Sequence, residues 1–276
     1  MRHILWVSWL FVMVLGCGQP QMTDQQMNVE ILKKNFADKD VPRAKRLESG
    51  LALVVRDDGQ VFLTEQYGLG QRSIVQAVID SIYQTKPEAA AQLLAKLMAA
   101  AGGEAKLHFE AQLIKLGDGA INALVSLAES EVEWQTLMRS LDALGKIKAK
   151  QGVEVMRSHL ISHPNDWVRI AAAHALGDVG GVEVVPALAS ALGDSSDTVV
   201  SAVLVGLGKT GDRRVVRACG RKLTHENPRV RAAAVSALGR LGGADAQALL
   251  EPMLRDADSG VRFKAKQALI DIAGQN

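Results

Sequence analysis

The chain has 276 residues, enough for two ordinary domains or one elongated array. It is 48% hydrophobic but only 4% aromatic, so its apolar content is mostly Ala, Leu and Val, which suits small, closely packed helices and argues against a β-sandwich. A net charge of +2, from 32 basic and 30 acidic residues, gives no global field for nucleic acid, and two cysteines, Cys17 and Cys219, cannot build a disulfide framework.

Residues 1–16 open with Arg2 and continue through an almost unbroken apolar run from Ile4 to Leu15. A helix of that length rises about 18 Å, well short of a hydrocarbon core of roughly 30 Å. The run therefore reads as a signal-peptide core rather than a membrane span. The V-L-G-C that follows, ending at Cys17, resembles the bacterial lipoprotein lipobox, with Leu15 bulkier than the usual residue at its position. The resemblance implies a signal peptide over 1–16 and a lipidated Cys17 as the mature N-terminus. Each buried methylene of the acyl chains would contribute about 0.8 kcal/mol. Gly18, where an Asp would retain the protein at the inner membrane, points to the periplasmic face of the outer membrane or the cell surface. Ordinary secretion with an incidental cysteine is the alternative. Lipidation leaves Cys219 alone, in an Ala-Cys-Gly step of a predicted helix, where a buried thiol acting as a small hydrophobe is the default.

Residues 17–45 follow as anchor and tether, with Gln19 to Asn28 polar and nearly featureless. An N-terminal hairpin and helical cap is expected over 46–102. In Leu51–Thr64 (LALVVRDDGQVFLT), two β-prone runs flank Asp58-Gly59, a type I′ turn pair, and predict a β-hairpin. One hairpin is marginal alone; it is either a structural cap or a partner-binding edge. Helical segments then run from Ser73 and from Pro87 to about Ala100, a divergent first pair or a cap.

From residue 163 the chain is periodic. VRIAAAHALG starts at Val168, VVSAVLVGLG at Val199, VRAAAVSALG at Val230 and VRFKAKQALI at Val261, at intervals of 31 residues. Asn165, Ser196, Asn227 and Asp258 stand three residues earlier and are good N-caps. Pro228 fits a first helical position, and Gly177, Gly208 and Gly239 are expected to end their helices. A second apolar segment follows each glycine, so each unit is two short antiparallel helices that bury their apolar stripes by stacking. Looser copies end at Gly145 and Gly117, with Glu133 and Ala105 at their cap positions. The pattern D-x-x-V-R-x-x-A-x-x-A-L-G over 103–276 resembles HEAT repeats of the phycobilin-lyase type. The expected fold class is all-α, an α-solenoid of HEAT-like two-helix repeats with a small N-terminal region containing the hairpin.

The resemblance is specific for architecture and poor for function, because the family hosts scaffolds, lyases and a hydroxylase. Deoxyhypusine hydroxylase holds two irons with several His-Glu pairs at repeat ends. Here His225-Glu226 has as its equivalents His163-Pro164, Asp194-Ser195 and Asp256-Ala257, so one complete pair exists. The row His163, Asp194, His225, Asp256 could offer ligands along one edge, but stacked helices sit about 8–10 Å apart and ligands of one ion lie about 2 Å from it. His108, His159 and His174 have no acid at ligand spacing, and no GxSxG, HExxH or phosphate-binding glycine loop occurs. The pigment lyases act in the cytoplasm, whereas this chain carries an export signal.

The arginines form the candidate site. Arg213, Arg214, Arg217, Arg221, Lys222 and Arg229 cluster, and Arg214, Arg217 and Arg221 share one face of a second helix. In HEAT arrays the second helices line the concave surface, so this basic patch is either a docking site for an acidic protein segment, an anionic envelope polymer or a lipid headgroup, or a solvated face whose aliphatic stems pack along the core. Arg169, Arg231 and Arg262 are expected to pair with carboxylates between units. The resulting expectation is a lipid-anchored, extracytoplasmic scaffold that binds a protein through its concave surface. No catalytic residue, metal, cofactor or nucleic acid is expected. A metal-dependent hydroxylase or a lyase built on the same repeats is the alternative.

Overall fold

The computed structural model describes residues 24–130 and 132–274; the signal peptide expected over 1–16 and the lipidation expected at Cys17 lie outside them. Every regular element among the described residues is helical. In chain order these are α1 (Asp24–Ala37), α2 (Arg43–Leu53), α3 (Asp57–Gly68), α4 (Arg72–Ile82), α5 (Pro87–Ala100), α6 (Gly103–Leu116), α7 (Ile121–Glu129), α8 (Trp134–Lys146) and α9 (Val153–Ser162). The regular repeats follow with α10 (Asp166–Val179), α11 (Val185–Ser190), α12 (Asp197–Thr210), α13 (Val216–Gly220), α14 (Pro228–Leu241), α15 (Gly243–Leu250) and α16 (Ser259–Ala273). Short 3-10 turns extend the second helices α11, α13 and α15. First helices α8, α10, α12, α14 and α16 stack in one layer and second helices in the other, around a core that runs from Val29 to Ile272.

The 31-residue period is visible in burial: Val168, Val199, Val230 and Val261 all lack solvent exposure. The side chains of Asn165, Asn227 and Asp258 accept the amide hydrogen bonds of Trp167, Arg229 and Val261 at 2.9–3.0 Å. Ser196 instead exchanges a 2.7 Å hydrogen bond with Thr198 and caps with its backbone alone.

The glycines expected to end the first helices lie inside them. The helices run on to Val179, Thr210 and Leu241, and the positive φ angles fall at Gly180, Gly211 and Gly242. A helix-interior glycine costs about 0.5–1 kcal/mol relative to alanine, so these must be accounted for by packing. A Cβ on Gly177 would stand 2.6 Å from the Gly206 Cα, one on Gly208 3.0 Å from the Ala237 Cα, and one on Gly239 2.7 Å from the Ala268 Cβ. The glycines let successive first helices meet backbone to backbone. In α16 the same repeat position holds Ile270, which is exposed.

The β-hairpin expected over 51–64 is two helices. Leu47, Gly50, Leu51 and Val54, like Gly59, Leu63 and Gln66, recur at helical spacing on buried or half-buried positions, and burial on both sides of the turn overrides the β-prone composition. Asp57 and Asp58 occupy the first turn of α3, where the helix dipole favours acids. Gly59 is no I′ turn residue: a Cβ there would collide with the backbone of Leu53. The flexible tether expected over 17–45 is also replaced, from Asp24 onward, by α1, whose Val29 and Phe36 are buried. Arg46 Nε and Gln71 Nε2 donate to the carbonyls of Phe36 and Ala37 at 2.8 and 2.9 Å and fasten its end. Helix pairing thus begins with α1 against α2 and continues without a break at residue 103.

Candidate functional site

The row His163, Asp194, His225, Asp256 is a structural ladder. Each side chain accepts the backbone N–H two residues on: His163 Nδ1 from Asn165, Asp194 Oδ1 from Ser196, His225 Nδ1 from Asn227 and Asp256 Oδ1 from Asp258, at 2.8–3.2 Å. The two aspartates also clasp the arginine of the preceding unit. Arg169 donates to both oxygens of Asp194 at 2.8 and 3.0 Å, and Arg231 to both of Asp256 at 2.8 Å. Each guanidinium further bonds the loop carbonyls of its own unit, His163 and Pro164 for Arg169, His225 and Glu226 for Arg231. The expected inter-unit pairing therefore holds for Arg169 and Arg231, while Arg262 donates to the carbonyls of Asp256 and Ala257.

The alternation of His and Asp follows from this clasp. Positions equivalent to Arg169 in the units feeding His163 and His225 are Met138 and Val200, which need no counter-ion. Where the arginine is present the next unit supplies Asp; where it is absent it supplies His, whose Nδ1 serves the turn, and His225 Nε2 also lies 3.6 Å from Asp197 Oδ1. Burial raises the Asp194 carboxyl, but hydrogen bonds from Arg169 and the Ser196 amide, with the guanidinium charge, leave it below its ordinary value. The hydrogen bond from Arg231 holds Asp256 low against burial. Burial lowers the His163 imidazole. No group of three or more His, Cys, Asp or Glu side chains is placed to share a metal ion among the described residues. Cys219 is fully buried, and burial pushes its thiol up to about 12; it packs as a small hydrophobe.

The predicted basic patch splits between two faces. Arg214, Arg217 and Arg221 are exposed on the second-helix layer. Arg214 is held by Asp212 on its own loop at 2.6 Å, and Arg213 Nε donates to the Leu241 carbonyl at 3.2 Å. Lys222 is half-buried. Arg229 lies on the opposite layer, in a depression formed by first helices α10, α12, α14 and α16. Clustering in sequence misled here because the loop between Thr224 and Pro228 carries the chain from one layer to the other.

A groove runs over the first helices. Its N-terminal depression, about 570 Å³, is lined by Trp134, Met138, Trp167, Ile170, His174 and the Asp178–Lys209 pair. Ile170 and His174 also line a second depression of about 270 Å³, which reaches Arg229, Ser236 and Lys264. Ser236 and Lys264 continue into a third of about 370 Å³, with Arg240, Phe263 and Asp271. His174, at the first junction, has its imidazole lowered by burial and by the nearby Lys209 charge. Trp134 and Trp167 are the chain's only tryptophans after residue 16, and both are exposed, at 40% and 59%. They begin successive first helices, and a surface that offers tryptophan to solvent is uncommon outside interfaces. Sequence reasoning passed over them because each reads as an isolated aromatic at a helix start. Two further depressions lie on the second-helix layer over α3, α5, α7 and α9.

A family model described as HEAT repeats matches residues 121–205 and 201–270. No curated protein matches the chain. Among solved structures, the complex of CpcE and CpcF of phycocyanin lyase from Nostoc sp. PCC7120 is similar at 24% identity over 66% of this chain and 76% of that one, with a TM-score of 0.47. Human deoxyhypusine hydroxylase is similar at 18% identity over 90% and 96%, with a TM-score of 0.36. A designed armadillo repeat protein in complex with a (KR)4 peptide is similar at 16% identity over 70% and 97%, with a TM-score of 0.48. At these values the likenesses bear on neither activity nor partner. The family match spans more than half of the sequence and coincides with the stacked helix pairs, and the chain belongs to the HEAT-repeat family.

Proposed function

We propose that the chain is a lipid-anchored, extracytoplasmic scaffold that binds a protein partner in the groove of its first helices. The observation that carries this reading is the exposed pair Trp134 and Trp167, set in the N-terminal depression of that groove. Tryptophans anchor interfaces when they fill a partner's pockets and shed water. The lipobox-like stretch at Cys17 supports the anchor, and no described helix is long and apolar enough to cross a membrane. The lipid would fix the location and the stacked repeats would hold the groove rigid. A photo-crosslinking amino acid at position 134 or 167, in cells making the full chain, is expected to trap one protein reproducibly. Absence of any protein crosslink from both positions would refute the reading.

A second reading places the partner on the second-helix layer. It is favoured by Arg217 and Arg221, which are exposed and form no ion pair among the described residues. Crosslinks from 217 and 221 in place of 134 and 167 would establish it.

A further inference from the structure

The C-terminal end of the groove carries an unbalanced charge. In the N-terminal part of the same layer the cations have carboxylates: Arg139 lies 2.8 Å from Glu110, Lys146 2.6 Å from Asp142, and Lys209 2.6 Å from Asp178. Over α14 and α16 this balance stops. Arg229, Arg240 and Lys264 are exposed and form no ion pair among the described residues. Lys264 Nζ reaches only Ser236 Oγ, at 3.4 Å. Asp271 is the one acid lining these two depressions, and it accepts from Gln267 at 2.8 Å. Two of the three cations depart sharply from the repeat. Lys264 stands where the other units have Ala171, Ala202 and Ala233, and Arg229 where they have Trp167, Thr198 and Gly260.

We infer that this end of the groove docks an extended acidic polypeptide segment. The inference rests on the groove-binding reading and adds the chemistry of the partner. Arg229 and Arg240 are three helical turns apart on one face of α14, about 16 Å, a span that an extended chain covers in about five residues. Lys264 faces the same groove from α16 between them, so carboxylates on one side of a strand would meet the three cations in turn. Phe263, 71% exposed beside Lys264, offers an apolar surface to an intervening side chain. The cations line depressions of about 370 and 270 Å³ between first helices, recesses that the side chains of a strand can enter and a flat sheet of lipid headgroups does not follow.

The test uses the detergent-solubilised full chain and a fluorescein-labelled dodecapeptide of alternating glutamate and alanine, read by anisotropy. Binding is expected to weaken with salt. It should fall about tenfold in a variant with Arg229→Glu, Arg240→Glu and Lys264→Glu, from three exposed ion pairs of modest individual strength. Arg217→Glu with Arg221→Glu should leave it within about twofold on the same grounds. Unchanged binding in the groove variant, equal binding of a lysine–alanine peptide, or displacement by phosphatidylglycerol vesicles would each overturn the inference. Helical melting of the groove variant, followed by circular dichroism, shows that it folds. Crosslinks retained from 134 and 167 with no acidic-peptide binding would overturn this inference alone; loss of those crosslinks overturns the scaffold reading beneath it.

Discussion

Asp194→Ala removes the carboxylate that joins two consecutive repeats. In the intact protein Arg169 and Asp194 have side chains only 10% and 11% exposed. The substitution leaves a nearly buried guanidinium that keeps Asp166 at 2.9 Å and two carbonyls but loses both strong contacts, and the Ser196 amide loses its acceptor. Breaking a buried pair costs about 3–5 kcal/mol when the survivor is left bare; with Asp166 in place the expected loss is about 2–3 kcal/mol. For an array of this size that lowers the thermal midpoint by roughly 5–10 °C, read by circular dichroism at neutral pH. Because the Asp194 carboxyl is held below its ordinary value, its contribution is fully present above the unfolded-state value and is lost as pH falls through the folded one. The gap between wild type and variant should therefore be constant near neutrality and close in strong acid. The double variant Arg169→Val with Asp194→His should recover most of the loss, since Val200 and His225 already form that combination one unit later. A variant as stable as wild type at neutral pH, or a gap that widens on acidification, would refute the clasp.

Three further outcomes follow from the same structure. Gly177→Val, whose Cβ would stand 2.6 Å from the Gly206 Cα, should destabilise by about 1–3 kcal/mol through forced separation of first helices, whereas Gly193→Ala, which meets nothing within 4 Å, should be nearly neutral in denaturant titration. Cys219 should resist maleimide in the native state and react fully once unfolded, because it is buried with a raised thiol pKa. Cys17→Ala should move the protein from the membrane to the soluble fraction, and continued membrane association would remove the anchor.

The repeat architecture was legible because a stacked helix pair imposes its period on burial: four valines 31 residues apart became four fully buried side chains. Caps were legible for the same local reason, Ser196 excepted. The in-helix glycines were misread because an interior glycine and a terminal one look alike in sequence; only the next helix shows that Gly177 needs Gly206 beside it. Leu51–Thr64 was misread because β-branched composition outweighed helical spacing, and Gly59 took its role from Leu53 rather than from its own turn. The candidate site was least legible. The cations at 213–222 and at 229 are neighbours in sequence but lie on opposite layers, whereas Trp134, Trp167 and Lys264 are distant in sequence and open onto one groove.

The central claim is that a protein partner occupies the first-helix groove. Trp134 and Trp167 are the only tryptophans once residues 1–16 are removed, so their emission reports on that groove directly. Titrating the partner recovered by crosslinking into the mature protein should shift that emission to the blue, saturably and with the same midpoint as binding. Binding that saturates while the emission stays unchanged would contradict the account.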